Sequence, residues 1–295
     1  MDYYLGIDGG GTRTSAVLCD GSGNIITKAN AGGLNYRAMG YDGARASLRD
    51  IMSQITLPVR AAFIGNAALA APAPAEELRA LTHGIIDAAY IGMDSDLFIA
   101  LEAMRCAGPC AVAIAGTGSM AAGRAGAGEP ILHTGGWGWL LGDEGSAFHI
   151  AWEALRAGLR GYEGSGPATT LSGDLCRFFG AYPETPEELL DLFYDPPKER
   201  HHIAACAKVV LQSDDPVARE IVRRCAADFA GTARALLRNL PEDTTLGLWG
   251  GMFQHSVAYT RAFCGALGRQ AELLPTPPEM GAVYAAMKLC KGSSI

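Results

Sequence analysis

Residues 3–29, YYLGIDGGGTRTSAVLCDGSGNIITKA, alternate short apolar runs with turn residues and decide the fold. The runs 3–7, 14–19 and 25–29 predict three strands, because turn residues bound each of them. The first turn reads Asp8-Gly-Gly-Gly-Thr12. Its glycines allow a tight turn and bring backbone N–H groups close to an anion. The unit is therefore a strand, a glycine-rich turn and two further strands.

A second unit of the same kind follows in the middle of the chain. Residues 111–115 predict a strand, Gly116-Thr-Gly-Ser119 a turn, and residues 120–124 the next strand. A long-range internal repeat of this kind indicates a duplicated domain. Two Gly-Thr turns, one in each half, predict that a ligand with several phosphates binds between the copies.

The remainder alternates predicted helices and strands, which is typical of an α/β fold. A helix is predicted from residue 42 to residue 54, and a buried strand at 246–249 ends in Gly250-Gly251. Further helices are predicted over 146–159, 167–179, 186–193, 199–212, 216–239 and 279–290.

Composition excludes several classes of protein. The 295 residues are 49% hydrophobic and carry a net charge of −7, which excludes a disordered chain and argues against nucleic acid as a partner. The eight cysteines include no CxxC pair, so we expect reduced thiols. Neither a signal peptide nor a membrane span is expected, and the predicted location is cytoplasmic.

Two predicted strands end in carboxylates. Asp8 can hold Mg²⁺ through water, because hard cations prefer oxygen ligands, and the Thr12 hydroxyl adds a donor to the turn. Asp96 follows a strand at the edge where α/β folds collect ligands, as a general base would. N-capping of the next helix is the alternative for Asp94, Ser95 or Asp96. The residues alone leave both interpretations open.

The segment from Trp137 to Ala147 is the richest in polar and flat side chains. Small residues allow close approach, and carboxylates accept hydrogen bonds from sugar hydroxyls. Asp143 therefore either binds a sugar or caps the helix that follows, while Trp139 is predicted to lie in the core. Asn35 offers a loop amide that either binds a hydroxyl or braces a turn.

These motifs, taken in order, resemble those of the N-acetylglucosamine kinases and, more widely, of the BadF/BadG/BcrA/BcrD-type ATPases in the actin-like sugar-kinase superfamily. The resemblance rests on Gly6-Ile-Asp-Gly-Gly-Gly-Thr12, Ala115-Gly-Thr-Gly-Ser119, Gly135-Gly-Trp-Gly138, Leu141-Gly-Asp-Glu-Gly-Ser-Ala147 and Gly250-Gly251. It implies two ribonuclease-H-like domains, at 1–115 and 116–278, with ATP in the cleft between them. The last helix, 279–290, would pack back on the first domain.

The resemblance also implies roles for individual residues. Asp8 would associate with Mg²⁺, and Asp96 would be the catalytic base and contact the substrate. The nucleotide contacts would be Gly10, Gly11, Thr12, Thr117, Gly250 and Gly251. The sugar contacts would be Asn35, Gly118, Ser119, Trp137, Gly138 and Asp143. Two stretches depart from the family pattern, Gly65-Asn-Ala-Ala68 in place of Gly-x-Ala-Gly and Asp214-Asp215-Pro216 in place of Gly-Asp-Pro.

The expected activity is phosphoryl transfer from ATP to an amino sugar. The expected acceptor is the 6-hydroxyl of N-acetylglucosamine, and glucosamine is the alternative substrate. A homodimer is implied by the relatives. One rival is an ATPase activator of a 2-hydroxyacyl-CoA dehydratase or benzoyl-CoA reductase system, which needs cysteines for an iron–sulfur cluster; residues 116–145 contain none. Another rival is a non-catalytic sugar-sensing regulator.

Overall fold

The computed structural model describes residues 1–181, 185, 187, 188, 193, 194 and 200–292. The helix predicted over 186–193 lies mostly outside these residues. The strands are β1 Tyr3–Gly9, β2 Arg13–Asp20, β3 Ile25–Gly32, β4 Ala61–Asn66, β5 Tyr90–Ser95, β6 Cys110–Ala115, β7 Ser119–Arg124, β8 Leu132–Gly135, β9 Thr245–Trp249 and β10 Glu272–Leu273. The helices are α1 Tyr36–Ser53, α2 Ala75–Thr82, α3 Asp96–Ala103, α4 Ala147–Glu163, α5 Leu171–Phe179, α6 Arg200–Ala205, α7 Ala207–Gln212, α8 Pro216–Leu237, α9 Gly251–His255, α10 Val257–Leu267 and α11 Pro278–Cys290.

The chain folds into two compact units, and each of them is made of segments that are not contiguous in sequence. The first unit holds Met1–Cys110, Arg124–Ile131 and the chain from Leu274 onward. The second unit holds Ala111–Gly123 and Leu132–Leu273. Within the described residues no helix is both long and apolar enough to cross a membrane.

The first unit is built on a five-stranded sheet in the order β3-β2-β1-β4-β5. Strand β1 pairs antiparallel with β2 and parallel with β4, and β4 pairs parallel with β5. Helix α11 lies against β1 so closely that a Cβ at Gly6 would be 2.1 Å from the carbonyl oxygen of Glu279. The end of the chain therefore completes the unit that the first residues begin.

The second unit repeats this arrangement, which confirms the predicted duplication. Its sheet has the order β10-β9-β6-β7-β8, so β6 takes the place of β1 and β7-β8 the place of β2-β3. Both units are ribonuclease-H-like. Helices α4, α8 and α10 supply most of the apolar core that covers this sheet, including the fully buried Phe229, Tyr259 and Phe263.

Three predicted helices differ from those observed. The helix predicted over 167–179 begins only at Leu171. Helix α1 starts at Tyr36 rather than at residue 42, because Asn35 caps its first turn and the chain continues through a kink at Gly40, where φ is 77°. The helix predicted over 199–212 is two helices, α6 and α7.

Candidate functional site

The carboxyl ends of the central strands of the first unit bring acidic side chains to one edge. The register aligns Asp8 on β1 with Gly65 on β4, and Gly65 with Asp94 on β5. Gly65 matters here because a Cβ at that position would lie 2.3 Å from Cδ1 of Ile99 on helix α3. The missing side chain lets α3, which begins with Asp96, pack against the sheet beside Asp8.

Electrostatics show that three carboxyls share this edge. Burial first, and then the charges of Asp96 and Glu279, together raise the pKa of Asp8 from 3.8 to about 7. Burial also raises the pKa of Asp96 and of Glu279. Among the described residues none of the three is in an ion pair within 4.0 Å. The charges of Lys28 and Arg13 oppose the rise at Glu279, so the carboxyls that lack a balancing cation among the described residues are Asp8 and Asp96.

Asp94 and Asp96 occupy different environments. The Asp94 carboxyl is 6% exposed and accepts a hydrogen bond of 2.5 Å from the Ser95 backbone N–H. The cap of helix α3 is Ser95, whose hydroxyl accepts from the Phe98 N–H at 3.1 Å. Because Ser95 does the capping, Asp96 in the first helical turn is left with backbone N–H groups as its partners. This geometry favours Asp96 over Asp94 as the reacting carboxylate.

The glycine-rich turn lies beside these carboxyls at the end of β1. The Gly10 N–H donates to the Arg13 carbonyl at 3.0 Å, which closes the hairpin between β1 and β2. Gly11 and Thr12 are exposed, and a Cβ at Gly11 would meet no atom within 4 Å. The turn is therefore open toward an incoming ligand.

Two asparagines organise the neighbouring loop. The Asn35 side-chain oxygen accepts from the N–H groups of Arg37 and Ala38 at 3.1 and 3.2 Å, so it caps helix α1 while its amide nitrogen stays available. The fully buried Asn66 donates to the Leu34 carbonyl at 3.1 Å. Asn66 thus ties the end of β4 to the residue before Asn35. It belongs to the 65–68 stretch that departs from the family pattern.

The second unit presents the matching turn after β6. The N–H groups of Ala147 and Phe148, at the start of helix α4, donate to the carbonyls of Gly116 and Thr117 at 2.9 and 3.4 Å. The Thr117 residue is exposed. Gly250 lies against the same strand end, because a Cβ there would be 2.3 Å from the Ala115 carbonyl oxygen. Gly251 follows as the first residue of α9.

Ser119 and Asp143 form a second buried polar group. The Ser119 hydroxyl donates to the Glu144 carbonyl at 2.7 Å, and its N–H lies 3.4 Å from Oδ1 of Asp143. Asp143 is 4% exposed, adopts a left-handed φ of 61°, and pairs with Arg200 at 2.9 Å. Burial raises the pKa of Asp143, and Arg200 opposes that rise. Gly118 adjoins this pair, since a Cβ there would be 2.5 Å from Nη2 of Arg200.

The tryptophan segment is exposed. Gly136 and Gly138 have φ of 74° and 83°, and Trp137 is 67% exposed. The prediction that Trp139 lies in the core is wrong: it is 46% exposed, and its ring packs at a tilt of 56° on Phe148 with a centroid distance of 5.2 Å. The segment follows the left-handed backbone of these glycines and lies on the surface. Because tryptophan is largely apolar, its residue type alone predicts a buried position.

Sequence reasoning missed several partners that tertiary structure supplies. Glu279 of α11 and Arg200 of α6 come from distant parts of the chain and carry no local signal. Tyr259 donates to the Gly145 carbonyl at 2.7 Å and fixes the loop that holds Asp143. In the 214–216 stretch only Asp214 departs from the family pattern, and its exposed carboxylate pairs with Arg219. Asp215, which matches the pattern, caps helix α8 and accepts from Thr169 at 2.9 Å.

The described residues contain no group of three or more His, Cys, Asp or Glu side chains arranged to ligate a metal directly. Magnesium, however, commonly keeps several waters and takes only one or two carboxylates. The unbalanced carboxyls at Asp8 and Asp96 fit that mode of binding.

Comparison with known proteins identifies the family. The model of the BadF/BadG/BcrA/BcrD ATPase family matches residues 5–287. The chain belongs to this family. It is 26% identical over 254 residues to an N-acetylmuramic acid/N-acetylglucosamine kinase of Clostridium acetobutylicum, with 81% of each chain covered.

Two further relatives agree with the family assignment. An N-acetyl-D-glucosamine kinase of Dictyostelium discoideum is 28% identical over 213 residues, which cover 66% of this chain and 65% of that protein. A solved structure from Porphyromonas gingivalis, proposed to be an N-acetylglucosamine kinase, has a TM-score of 0.75 at 20% identity and covers 97% of this chain and 99% of that one. This likeness shows that the chain has the same fold as the Porphyromonas gingivalis protein.

Proposed function

We propose that the protein is an ATP-dependent kinase that phosphorylates the 6-hydroxyl of an amino sugar, with N-acetylglucosamine as the first substrate to test. The observation that carries this proposal is the edge of the first sheet, where Asp8 and Asp96 lie within electrostatic range beside the open turn at Gly10 and Gly11. The names of the relatives supply the substrate class.

Asp96 is the proposed catalytic residue. Burial raises the pKa of its carboxyl, which brings it nearer to neutrality and makes it a stronger base. It would orient the sugar hydroxyl and accept its proton as the oxygen attacks the γ-phosphorus of ATP and the bond to the β-phosphate oxygen breaks. Phosphoryl transfer needs little else from the protein beyond positioning and charge stabilisation.

The glycine turns are proposed to hold the phosphates. The backbone N–H groups of the exposed Gly11 and Thr12 and the hydroxyls of Thr12 and Thr117 are the proposed donors for the β- and γ-phosphates, and the Gly10 N–H, which is bonded to the Arg13 carbonyl, holds the turn in shape. Gly250 packs on Ala115 at the end of β6, and a Cβ at Gly251 would meet only the His255 side chain at 3.7 Å, so the backbone at Gly251 has room for a nucleoside to approach closely. Each unit supports the phosphate-binding role of its own turn. Thr12 and Thr117 are both exposed, and a Cβ at Gly11 or at Gly116 would meet no atom within 4 Å.

Asp8 is the proposed partner of Mg²⁺. When bound, the cation would neutralise the charge that develops on the transferred phosphoryl group. Burial and the neighbouring charges of Asp96 and Glu279 disfavour the ionised form of the Asp8 carboxyl. A cation bound beside Asp8 would stabilise that ionised form.

The sugar contacts remain proposals of the same kind. The side-chain amide nitrogen of Asn35 could donate to a sugar hydroxyl. The exposed ring of Trp137 could pack on the flat face of a sugar, and Gly138 beside it has no side chain that would block the approach. Asp143 accepts from the Ser119 N–H and pairs with Arg200, and Gly118 lies beside this pair. We propose that these residues shape the sugar site and present their remaining donors and acceptors. A cytoplasmic homodimer is also proposed; its mass in solution is measured by light scattering.

A coupled ADP-release assay across amino sugars and hexoses tests the function. Asp96→Asn is expected to lower kcat by roughly 10²- to 10⁴-fold, the usual contribution of a general base, with little effect on KM. The matched control is Asp42→Asn, which removes an exposed carboxyl of helix α1. Near-wild-type turnover by Asp96→Asn rejects the assignment, and no ADP release with any sugar rejects the function.

The rival activator function is disfavoured by the cysteines. Six of the eight are buried, and only Cys106 and Cys290 are partly exposed. An iron–sulfur cluster needs several accessible thiolates. A colourless protein after anaerobic iron and sulfide loading is the expected result.

A further inference from the structure

A cavity of about 380 Å³ opens in the first unit, near the C-terminal ends of helices α3 and α11. Its polar lining includes Glu102, Arg105, Arg124, Lys288 and Lys291. Along helix α3, Glu102 is about 9 Å from Asp96, and along α11, Lys288 is about 14 Å from Glu279, at 1.5 Å per residue. The cavity is therefore separate from the proposed catalytic carboxyls.

The side chains that line this cavity carry four positive charges and one negative charge, and this excess of positive charge is larger than the partial negative charge of about 0.5 at each of the two helix C-termini. Glu102 is the only carboxylate among the lining residues, and it is 5% exposed. Its two oxygens are already taken by Arg124 at 2.8 Å and Lys288 at 2.5 Å. Arg124 is 4% exposed, and besides Glu102 its guanidinium neighbours the thiol of the buried Cys110. Four cationic side chains thus face one carboxylate that is fully engaged.

Arg105 stands out for its backbone as well as its charge. Its φ is 52°, in the left-handed region, at the position after the end of helix α3 that glycine usually occupies. Its guanidinium lies 5.0 Å from the centroid of the Tyr284 ring on α11. A strained non-glycine residue of this kind points to a function for its side chain. The stacked ring fixes the guanidinium beside the cavity.

We propose that this cavity binds a phosphate group, either as inorganic phosphate or as part of a small phosphate monoester. Arginine and lysine are the side chains that recognise phosphate, through paired hydrogen bonds and through charge. The cavity volume lies in the range of small-molecule sites, and Ala107, Ala127 and Met287 add an apolar wall that suits the organic part of an ester. None of the residues that line this cavity is among the proposed ATP and sugar contacts.

Calorimetric titration tests the proposal, with inorganic phosphate and glucose 6-phosphate as probes at constant ionic strength in sodium chloride. The double variant Arg105→Gly/Lys291→Ala is expected to bind the preferred probe at least tenfold more weakly than wild type. Both positions are exposed, and glycine suits the left-handed backbone at 105, so folding is expected to survive. Lys291→Ala alone is the second variant if the double variant does not fold.

Arg49→Ala/Arg79→Ala is the matched control, because it removes two exposed cations of the same unit outside the cavity. Unchanged binding by the control, with loss in the cavity variant, supports the proposal. Tighter binding of glucose 6-phosphate identifies a monoester as the occupant, and equal or tighter binding of inorganic phosphate identifies the free ion. No binding by wild type, equal binding by wild type and cavity variant, or equal weakening in both double variants overturns the proposal.

Discussion

Replacing Asp8 by Asn is expected to make the protein more stable and inactive at the same time. The folded-state pKa of Asp8 is raised from 3.8 to about 7. Between these two values the folded chain binds more protons than the unfolded chain, so its stability falls as the pH rises through this window. The loss amounts to about 1.4 kcal/mol per pH unit, hence to about 4 kcal/mol at most above pH 7. An asparagine carries no charge and avoids this loss.

Denaturant unfolding followed by circular dichroism measures the effect, without nucleotide or divalent cation. The stability gain of Asp8→Asn over wild type is expected to be near zero at pH 4 and to grow up to pH 8. Asp42→Asn, an exposed carboxyl of the same unit, is the control and is expected to show no such growth. A pH-independent difference, or a variant that is less stable than wild type at pH 8, refutes the reasoning.

Further predictions concern packing and one buried hydrogen bond. Gly281→Ala is expected to destabilise the protein, because its Cβ would lie 1.9 Å from a backbone oxygen of helix α3; Gly231→Ala, in helix α8 with open space around it, is the control and is expected to stabilise by about 1 kcal/mol. Thermal melts compare the two, and equal shifts would contradict the packing argument. Tyr259→Phe leaves the buried Gly145 carbonyl without its donor and is expected to cost about 1–3 kcal/mol. Tyr162→Phe, at an exposed tyrosine, is its control, and an equal cost for both would contradict this reading.

The parts of the fold that sequence predicts are those with local signals. The three strands within residues 3–29 are confirmed because turn residues bound each run, and the second unit repeats the pattern. The start of helix α1 was missed because Gly40 interrupts the helical pattern while Asn35 caps the helix before it. A single helix predicted over 199–212 is divided at Cys206.

The candidate site depends more on tertiary packing. Asp8 and Asp96 follow predicted strands, so their proximity at one edge of the sheet could be expected from the rule for parallel strands. Glu279, Asn66 and Arg200 could not be found in the same way, because each acts on a residue far away in sequence. The exposure of Trp139 depends on the left-handed glycines before it, which sequence alone does not reveal.

The position of helix α11 has a consequence for synthesis on the ribosome. The first sheet is complete by residue 95, yet the helix that covers β1 through Gly6 begins at residue 278. At about 5–20 residues per second, the completed sheet waits roughly ten to forty seconds for that helix to be made. During this interval an apolar strand face stays uncovered while the second unit, whose last strand ends at Leu273, is completed first. Nascent chains shorter than about 278 residues are therefore natural clients of chaperones.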